Sequence, residues 1–176
     1  MSYDLAALIL RLVVGLLMFG HGAQKLFGWF GGYGLAGTSG FFGDQLRLRP
    51  AKLWTVVAGL SEAGGLLFAL GLLNPLGSLG IIAAMLMAII LVHWPRLWVS
   101  DNGGEYQLVL MAVATAVALA GPGAYSLDPA LGTALPTPVA FVIGLVLVLL
   151  GVLAALATRA PAAEVAAPAG SPARSG

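Results

Sequence analysis

The sequence has no cysteine and very little charge, since charged residues make up only 9% of its 176 positions. Without cysteine the chain can form neither a disulfide nor a thiolate metal site. Eight Lys or Arg and seven Asp or Glu give a net charge of +1, with no basic cluster of the kind that binds nucleic acid. We therefore expect no nucleic-acid partner, and any redox role requires a bound cofactor or a partner protein.

Hydrophobic residues are abundant, at 60% of the chain, and the mean hydropathy is +0.99. Soluble domains have about 45–50% apolar and about 25% charged residues, so a soluble protein of this composition could not cover its surface. Intrinsic disorder is excluded as well, because it requires low hydrophobicity and high charge. The composition predicts an all-α polytopic membrane protein whose main partner is the lipid bilayer.

Apolar stretches long enough to span a bilayer, about 20 residues each, occur five times. They cover approximately residues 5–26, 53–73, 76–94, 104–121 and 138–157, and the fourth is the shortest. We predict a single membrane bundle over residues 1–157, with four core helices and a fifth C-terminal transmembrane helix. The remaining residues, 158–176, are rich in Ala, Pro and Ser and are expected to be disordered.

The orientation in the membrane follows from the loops, because cytoplasmic loops are enriched in Lys and Arg. The outer turn at 74–75 and the outer loop at 122–137 contain neither residue if the N-terminus lies outside. The opposite side then carries Arg47, Arg49, Lys52, Arg96, Arg159 and Arg174. We predict an outside N-terminus and a cytoplasmic C-terminus. A composition rich in Ala, Gly and Leu, with Arg in excess over Lys, is typical of a GC-rich bacterium and indicates its inner membrane.

A glycine-rich segment, 27–52, joins the first two predicted spans. Glycine recurs every third residue from Gly28 to Gly43, and aromatic residues stand between the glycines. No Lys-Ser or Lys-Thr follows the glycines, so the segment is not a phosphate-binding loop. Because Trp and Tyr favour the headgroup level, we interpret it as a compact connector at the cytoplasmic interface. The alternative is a lid over a site between helices.

Ionisable residues within the predicted spans are candidate functional groups, since each costs about 2.5–3.5 kcal/mol at the centre of a helix. They are Arg11, His21, Glu62 and His93, with Lys25 close to His21. A rise of about 1.5 Å per residue places Glu62 near the midplane, between Arg11 and His21 in depth. We therefore predict that Glu62 pairs with Arg11 or hydrogen-bonds towards His21. Whether such a pair is a structural clamp or a ligand site stays open.

The two histidines suggest a haem, because imidazoles from different helices can ligate a haem iron. His21 and His93 both lie near the inner side of their spans. Histidines in a membrane bundle are more often interfacial or hydrogen-bonded, and we favour that interpretation. Zinc is disfavoured further, because no His pair occurs at i, i+4 and the chain has no cysteine.

Several short motifs occur in the order found in a known family. They are Gly20–Gly28 (GHGAQKLFG), Glu62 before Gly64-Gly65, His93-Trp94-Pro95, Asn102–Tyr106 (NGGEY) and Gly121-Pro122-Gly123. Over about residues 5–130 the chain resembles the DoxX family of small bacterial integral membrane proteins. The resemblance implies a four-helix membrane core and a relation to a subunit of a thiosulfate:quinone oxidoreductase. It also implies a shared internal site, because these residues fall on the family's recurring positions: Arg11, Gly22, Lys25, Glu62, Gly65, His93 and Glu105.

From the resemblance and the polar residues within the spans, we expect an accessory or anchoring subunit of a membrane redox complex rather than a self-contained enzyme. Its partner would be an oxidoreductase, and a quinone would bind between helices 1 and 2. The candidate cofactor-binding residues are Arg11, His21, Lys25, Glu62 and His93. Two alternatives stay open: a small proton-coupled transporter that uses Glu62, and a non-catalytic scaffold. The absence of cysteine argues against thiol exchange.

Overall fold

A computed structural model describes residues 2–161, and these form a helical bundle. Residues 162–176, most of the predicted disordered tail, lie outside the described residues. The described helices are α1 (Ser2–Phe27), α2 (Gly34–Asp44), α3 (Ala51–Ala63), α4 (Gly65–Leu70), α5 (Leu76–Ala88), α6 (Glu105–Ala120), α7 (Leu127–Leu131) and α8 (Val139–Ala157). There are also short 3₁₀ turns at Trp29–Gly31 and Val99–Asp101, a π-helical turn at Ile89–His93, and an isolated antiparallel bridge between Leu48 and Arg159.

Four described helical segments are long and apolar enough to cross a membrane. They are Ser2–Phe27, Ala51–Leu70 (α3 and α4 together), Leu76–His93 and Val139–Ala157. The shorter apolar helix α6 has 16 residues, which corresponds to a length of about 24 Å. The predicted all-α polytopic membrane bundle is confirmed.

Tight packing joins α1 to the α3–α4 segment through glycines on both sides. A Cβ atom added at Gly22 would lie 2.5 Å from the Ala63 nitrogen, and one at Gly15 would lie 2.5 Å from the Gly65 oxygen. Small residues at such positions let membrane helices approach closely. These contacts set the register between the helices and leave little space between them.

The central core forms where α1, α4, α5 and α6 meet. Met18, Phe68, Ile81 and Ala114 are almost completely buried there. Side chains of α5 are buried along most of its length because it packs against α3, α4, α6 and α8. This core fixes α5 as the central helix of the described bundle, with α8 on one side of it.

The last helix, α8, is attached at both ends. Towards its N-terminus, Gly144 packs so closely on α5 that a Cβ there would lie 2.1 Å from Leu79 Cδ1. Beyond its C-terminus, the Arg49 nitrogen donates to the Thr158 oxygen at 3.2 Å and the Ala160 nitrogen donates to the Arg47 oxygen at 2.8 Å. Backbone hydrogen bonds therefore hold Thr158 and Ala160 to the segment after α2, and the disorder expected of the tail stays a prediction.

On the opposite side of the bundle, Asp128 fixes the loop that contains α7. Its carboxylate accepts hydrogen bonds from the Leu73 nitrogen at 2.7 Å, the Asn74 nitrogen at 2.8 Å and the Thr133 hydroxyl at 2.7 Å. The side chain is buried, so these bonds replace the water that a carboxylate requires. Asp128 thus ties α7 to the turn between α4 and α5.

Candidate functional site

Glu62 of α3 forms an ion pair with Lys25 in the last turn of α1. The Lys25 ammonium donates to Glu62 Oε1 at 2.5 Å and also to Oε2. The Glu62 side chain is 6% exposed and that of Lys25 is 26% exposed. A buried carboxylate needs a close cation and hydrogen-bond donors in place of water. Lys25 supplies both.

Arg11 is not the partner of Glu62, and that prediction was wrong. Arg11 is buried near the other end of the bundle, where it donates to the Ala69 oxygen at 3.2 Å and to the Tyr125 oxygen. A Cβ at Gly71 would clash with the Arg11 guanidinium, so Arg11 lies beside Gly71. Gly71 is nine residues beyond Glu62, which is about 14 Å along a helix. The glycine contacts between the helices set this register, and estimates of depth from span ends could not detect it.

A cavity of about 580 Å³ opens from the Lys25–Glu62 pair between α2, α3, α5 and α8. Its polar side chains are this pair, the neighbouring Ser61, and Trp54, whose indole N–H donates to the Arg49 oxygen at 3.3 Å. Apolar residues form the remaining wall, including Phe41 and Phe42 of α2, Trp54 and Val57 of α3, Met87 of α5, and Gly151 of α8. The arrangement combines a long apolar chamber with one charged end.

The cavity does not lie between the first two predicted spans, which are α1 and the α3–α4 segment, where the sequence analysis predicts the quinone. Those helices are in glycine-mediated contact, and beside Arg11 the structure leaves only about 10 Å³, the room of a single water. The larger space arises because α8 packs mainly on α5. The segment 27–52 contributes a wall of the cavity through α2, and its interpretation as a lid stays a prediction.

His21 lies outside the cavity lining and supports the glycine-rich segment instead. Its Nδ1 is 3.1 Å from Gln24 Oε1, and Gln24 Nε2 donates to the Phe30 oxygen at 3.2 Å. This chain of hydrogen bonds ties the end of α1 to the Trp29–Gly31 turn. The predicted hydrogen bond between Glu62 and His21 is not formed, since Glu62 bonds to Lys25.

His93 is also separate from the ion pair. Its Nδ1 is 2.8 Å from the Asn102 oxygen, an acceptor, so Nδ1 carries the proton. Its Nε2 then accepts from Gln107 Nε2 at 2.9 Å. Both ring nitrogens are engaged and neither is offered to a haem iron. Among the described residues, no group of three or more His, Cys, Asp or Glu is arranged to hold a metal ion.

Of the five predicted site residues, the structure brings only Lys25 and Glu62 together. Sequence reasoning missed the residues that shape the cavity, above all Phe41, Phe42 and Gly151. One signal was available, because Gly144 and Gly151 lie seven residues apart and so share one face of α8. Nothing in the sequence indicated that Phe41 and Phe42 line a cavity, because aromatic residues occur throughout their segment.

The chemistry available at this site is limited and specific. The ammonium of Lys25 can donate to a ligand carbonyl, and the carboxylate of Glu62 can accept or return a proton. The walls provide an apolar environment in which such interactions are stronger than in water. The site therefore fits a ligand that has one small polar head and a large hydrophobic body.

Comparisons with known proteins agree with the motifs in the sequence. The family model described as DoxX matches residues 6–94. A Bacillus subtilis (strain 168) protein named "Putative oxidoreductase CatD" is 29% identical over 128 residues, which cover 73% of this chain and 88% of that protein. No solved structure matches the chain. The family match includes both Lys25 and Glu62 but ends before α8.

Proposed function

This chain belongs to the DoxX family, and on that premise we propose that it is the membrane subunit of a redox system, with a lipid-soluble quinone bound in the cavity. The observation that carries the proposal is the Lys25–Glu62 pair at one end of an otherwise apolar chamber. The volume of about 580 Å³ is typical of small-molecule sites, which span about 300–1,000 Å³.

The pair offers what a quinone head requires. A quinone carbonyl accepts a hydrogen bond from the Lys25 ammonium, and Glu62 exchanges a proton with the reduced oxygen. Complete reduction of a quinone takes up two electrons and two protons. The chain has no cysteine to supply the electrons, so we assign their delivery to an oxidoreductase partner. The name of the Bacillus subtilis relative supports a redox role.

A proton-coupled transporter is the second candidate, favoured by one observation. Glu62 is a buried carboxylate within a membrane-spanning segment, a position often found in proton-coupled carriers. The apolar walls of the cavity argue against a hydrophilic solute, because such a solute would lose its hydration without replacement. Uptake of a weak acid into proteoliposomes, driven by a pH gradient, would support this candidate over the first.

We place the protein in the bacterial inner membrane with its N-terminus outside and its C-terminus in the cytoplasm. The distribution of Arg and Lys supports this orientation. The segment α2 and the first turns of α3 then lie on the cytoplasmic side, and Glu62 lies about 16 Å along α3 from Ala51, near the midplane. A soluble electron donor on the cytoplasmic side would face the end of the cavity lined by Leu46, Trp54 and Leu91, about 12 Å along α3 from Glu62.

Quinone binding is measured best from inside the cavity, where Trp54 serves as a reporter. The other tryptophans, Trp29, Trp94 and Trp98, are replaced by Phe, and the protein is titrated with decylubiquinone in lipid nanodiscs. We expect saturable quenching of Trp54 fluorescence. Each of Lys25→Met and Glu62→Gln should weaken binding about tenfold, the equivalent of one charge-assisted hydrogen bond.

The matched controls are Lys52→Met and Glu105→Gln, which make the same changes outside the cavity. They should leave the quinone affinity within about twofold of the parent. Quenching that rises linearly without saturation, or equal losses in the site variants and the controls, would contradict the proposal.

A further inference from the structure

The cavity has an opening on the side of the bundle. Four residues that line the cavity are also exposed: Phe41 of α2 (46%), Val57 of α3 (42%), and Leu147 (62%) and Gly151 of α8. The cavity is partly open, and these residues stand where its wall is interrupted. These residues therefore outline a mouth between α3 and α8, which we call the lateral mouth.

The lateral mouth lies at membrane depth. Val57 is about 9 Å along α3 from its first residue, and Leu147 is about 15 Å from the last residue of α8. Both helices belong to segments that are long and apolar enough to span the bilayer. The lateral mouth therefore faces lipid acyl chains, and a water-soluble ligand would have to leave water to reach it.

The attachment of α8 explains why this opening exists. Gly144 presses α8 against Leu79, and beyond the helix Arg159 Nε donates to the Leu46 oxygen at 3.1 Å. Between these contacts lies Gly151, where an added Cβ would meet no atom within 4 Å. Gly151 lines the cavity, so the missing side chain directly enlarges the space within it.

We propose that the quinone enters and leaves through the lateral mouth, with its head at the Lys25–Glu62 pair and its isoprenoid tail running past Gly151 into the lipid. This inference rests on the quinone-binding function proposed above and adds the route and the position of the tail. The chamber is apolar along this whole path, so the tail is transferred from lipid to protein without contact with water. Tail segments beyond the lateral mouth remain in the bilayer.

The position of the tail is tested with two probes in nanodiscs. One is decylubiquinone, and the other is a benzoquinone with the same head group but no tail, called here the tail-less quinone. Gly151→Phe fills the space past which the tail runs. We expect it to weaken binding of decylubiquinone about tenfold, the equivalent of about two methylene groups kept out of the cavity. Binding of the tail-less quinone should change less than about twofold. Gly20→Phe is the matched control, since an added Cβ there also meets no atom within 4 Å and Gly20 does not line the cavity.

The route is tested by kinetics. Leu147→Trp narrows the lateral mouth, so decylubiquinone should associate and dissociate more slowly, each about threefold or more, with a nearly unchanged Kd. Leu150→Trp is the control, because Leu150 is exposed on α8 but does not line the cavity. Unaltered rates in Leu147→Trp would overturn the lateral route.

Failure of this inference is distinguishable from failure of the proposed function. If the parent protein binds both probes but Gly151→Phe weakens both equally or neither, the tail does not run past Gly151 and only the inference is wrong. If the parent protein binds neither probe, the proposed function and this inference fall together. If bilayer phospholipid fills the chamber and decylubiquinone cannot displace it, the cavity is a lipid site, which also overturns both.

Discussion

Lys25 Nζ and the Glu62 carboxylate meet across α1 and α3 and form an ion pair at the polar end of the cavity. The pair joins two helices whose glycines already hold them in close contact. The ion pair thus belongs to the contact between the two helices as well as to the proposed site. Separating these two roles requires variants that remove the charge without leaving a buried group unsatisfied.

Removing one member of the pair should destabilise the protein more than removing both. Glu62→Gln or Lys25→Met leaves an uncompensated polar group, and each should lower the free energy of unfolding by about 1–3 kcal/mol. The double variant Lys25→Met/Glu62→Leu should recover most of this loss, because apolar residues can replace an internal ion pair. Thermal unfolding in detergent measures the stability of the parent protein, the two single variants and the double variant. Additive losses in the double variant would show that the two side chains do not act as a pair.

The glycine contact between α1 and α3 should tolerate no side chain. Gly22→Ala places a Cβ 2.5 Å from the Ala63 nitrogen and should destabilise the bundle by about 1–3 kcal/mol. Gly20→Ala makes the same change where nothing lies within 4 Å, and it should be neutral or stabilise α1 by up to about 1 kcal/mol. Equal melting temperatures for the two variants would contradict this packing.

Arg11 should matter for stability and not for the ligand. Arg11→Met removes the hydrogen bonds to the Ala69 and Tyr125 oxygens and should destabilise the protein by about 1–3 kcal/mol. Its distance from the cavity predicts a quinone affinity within about twofold of the parent. Melting curves and the Trp54 titration test both parts, with the exposed Arg96→Met as control. A selective loss of quinone affinity would show that Arg11 belongs to the binding site.

The proposed orientation can be measured by labelling introduced cysteines, because the chain has no cysteine of its own that would give a background signal. Leu131→Cys, on the predicted outer side, should react with a membrane-impermeant maleimide in intact spheroplasts. Val99→Cys, on the predicted cytoplasmic side, should react only after lysis. Both native residues are exposed, at 61% and 69%. The reverse pattern of labelling would invert the orientation.

The architecture was largely predictable from the sequence. Membrane helices carry their signal in composition and length, since every backbone group in a bilayer must be satisfied within a helix. The apolar stretches therefore indicated a helical bundle, and the ordered motifs indicated the family. The polar residues within the spans were visible for the same reason, because charges such as Glu62 are rare in a bilayer.

The pairing of those residues was decided only by the tertiary structure. Depth estimates suggested Arg11 for Glu62, whereas the glycine contacts between α1 and α3–α4 set a register that brings Lys25 to Glu62 instead. Arg11 and Lys25 are about 21 Å apart along α1, so the register between the helices decides which of the two meets Glu62. The cavity arose in the same way, because its walls combine α2 and α3 with α5 and with α8, which lies far away in the sequence. Hydropathy is a property of each segment alone, but register and enclosed space belong to the contacts between segments.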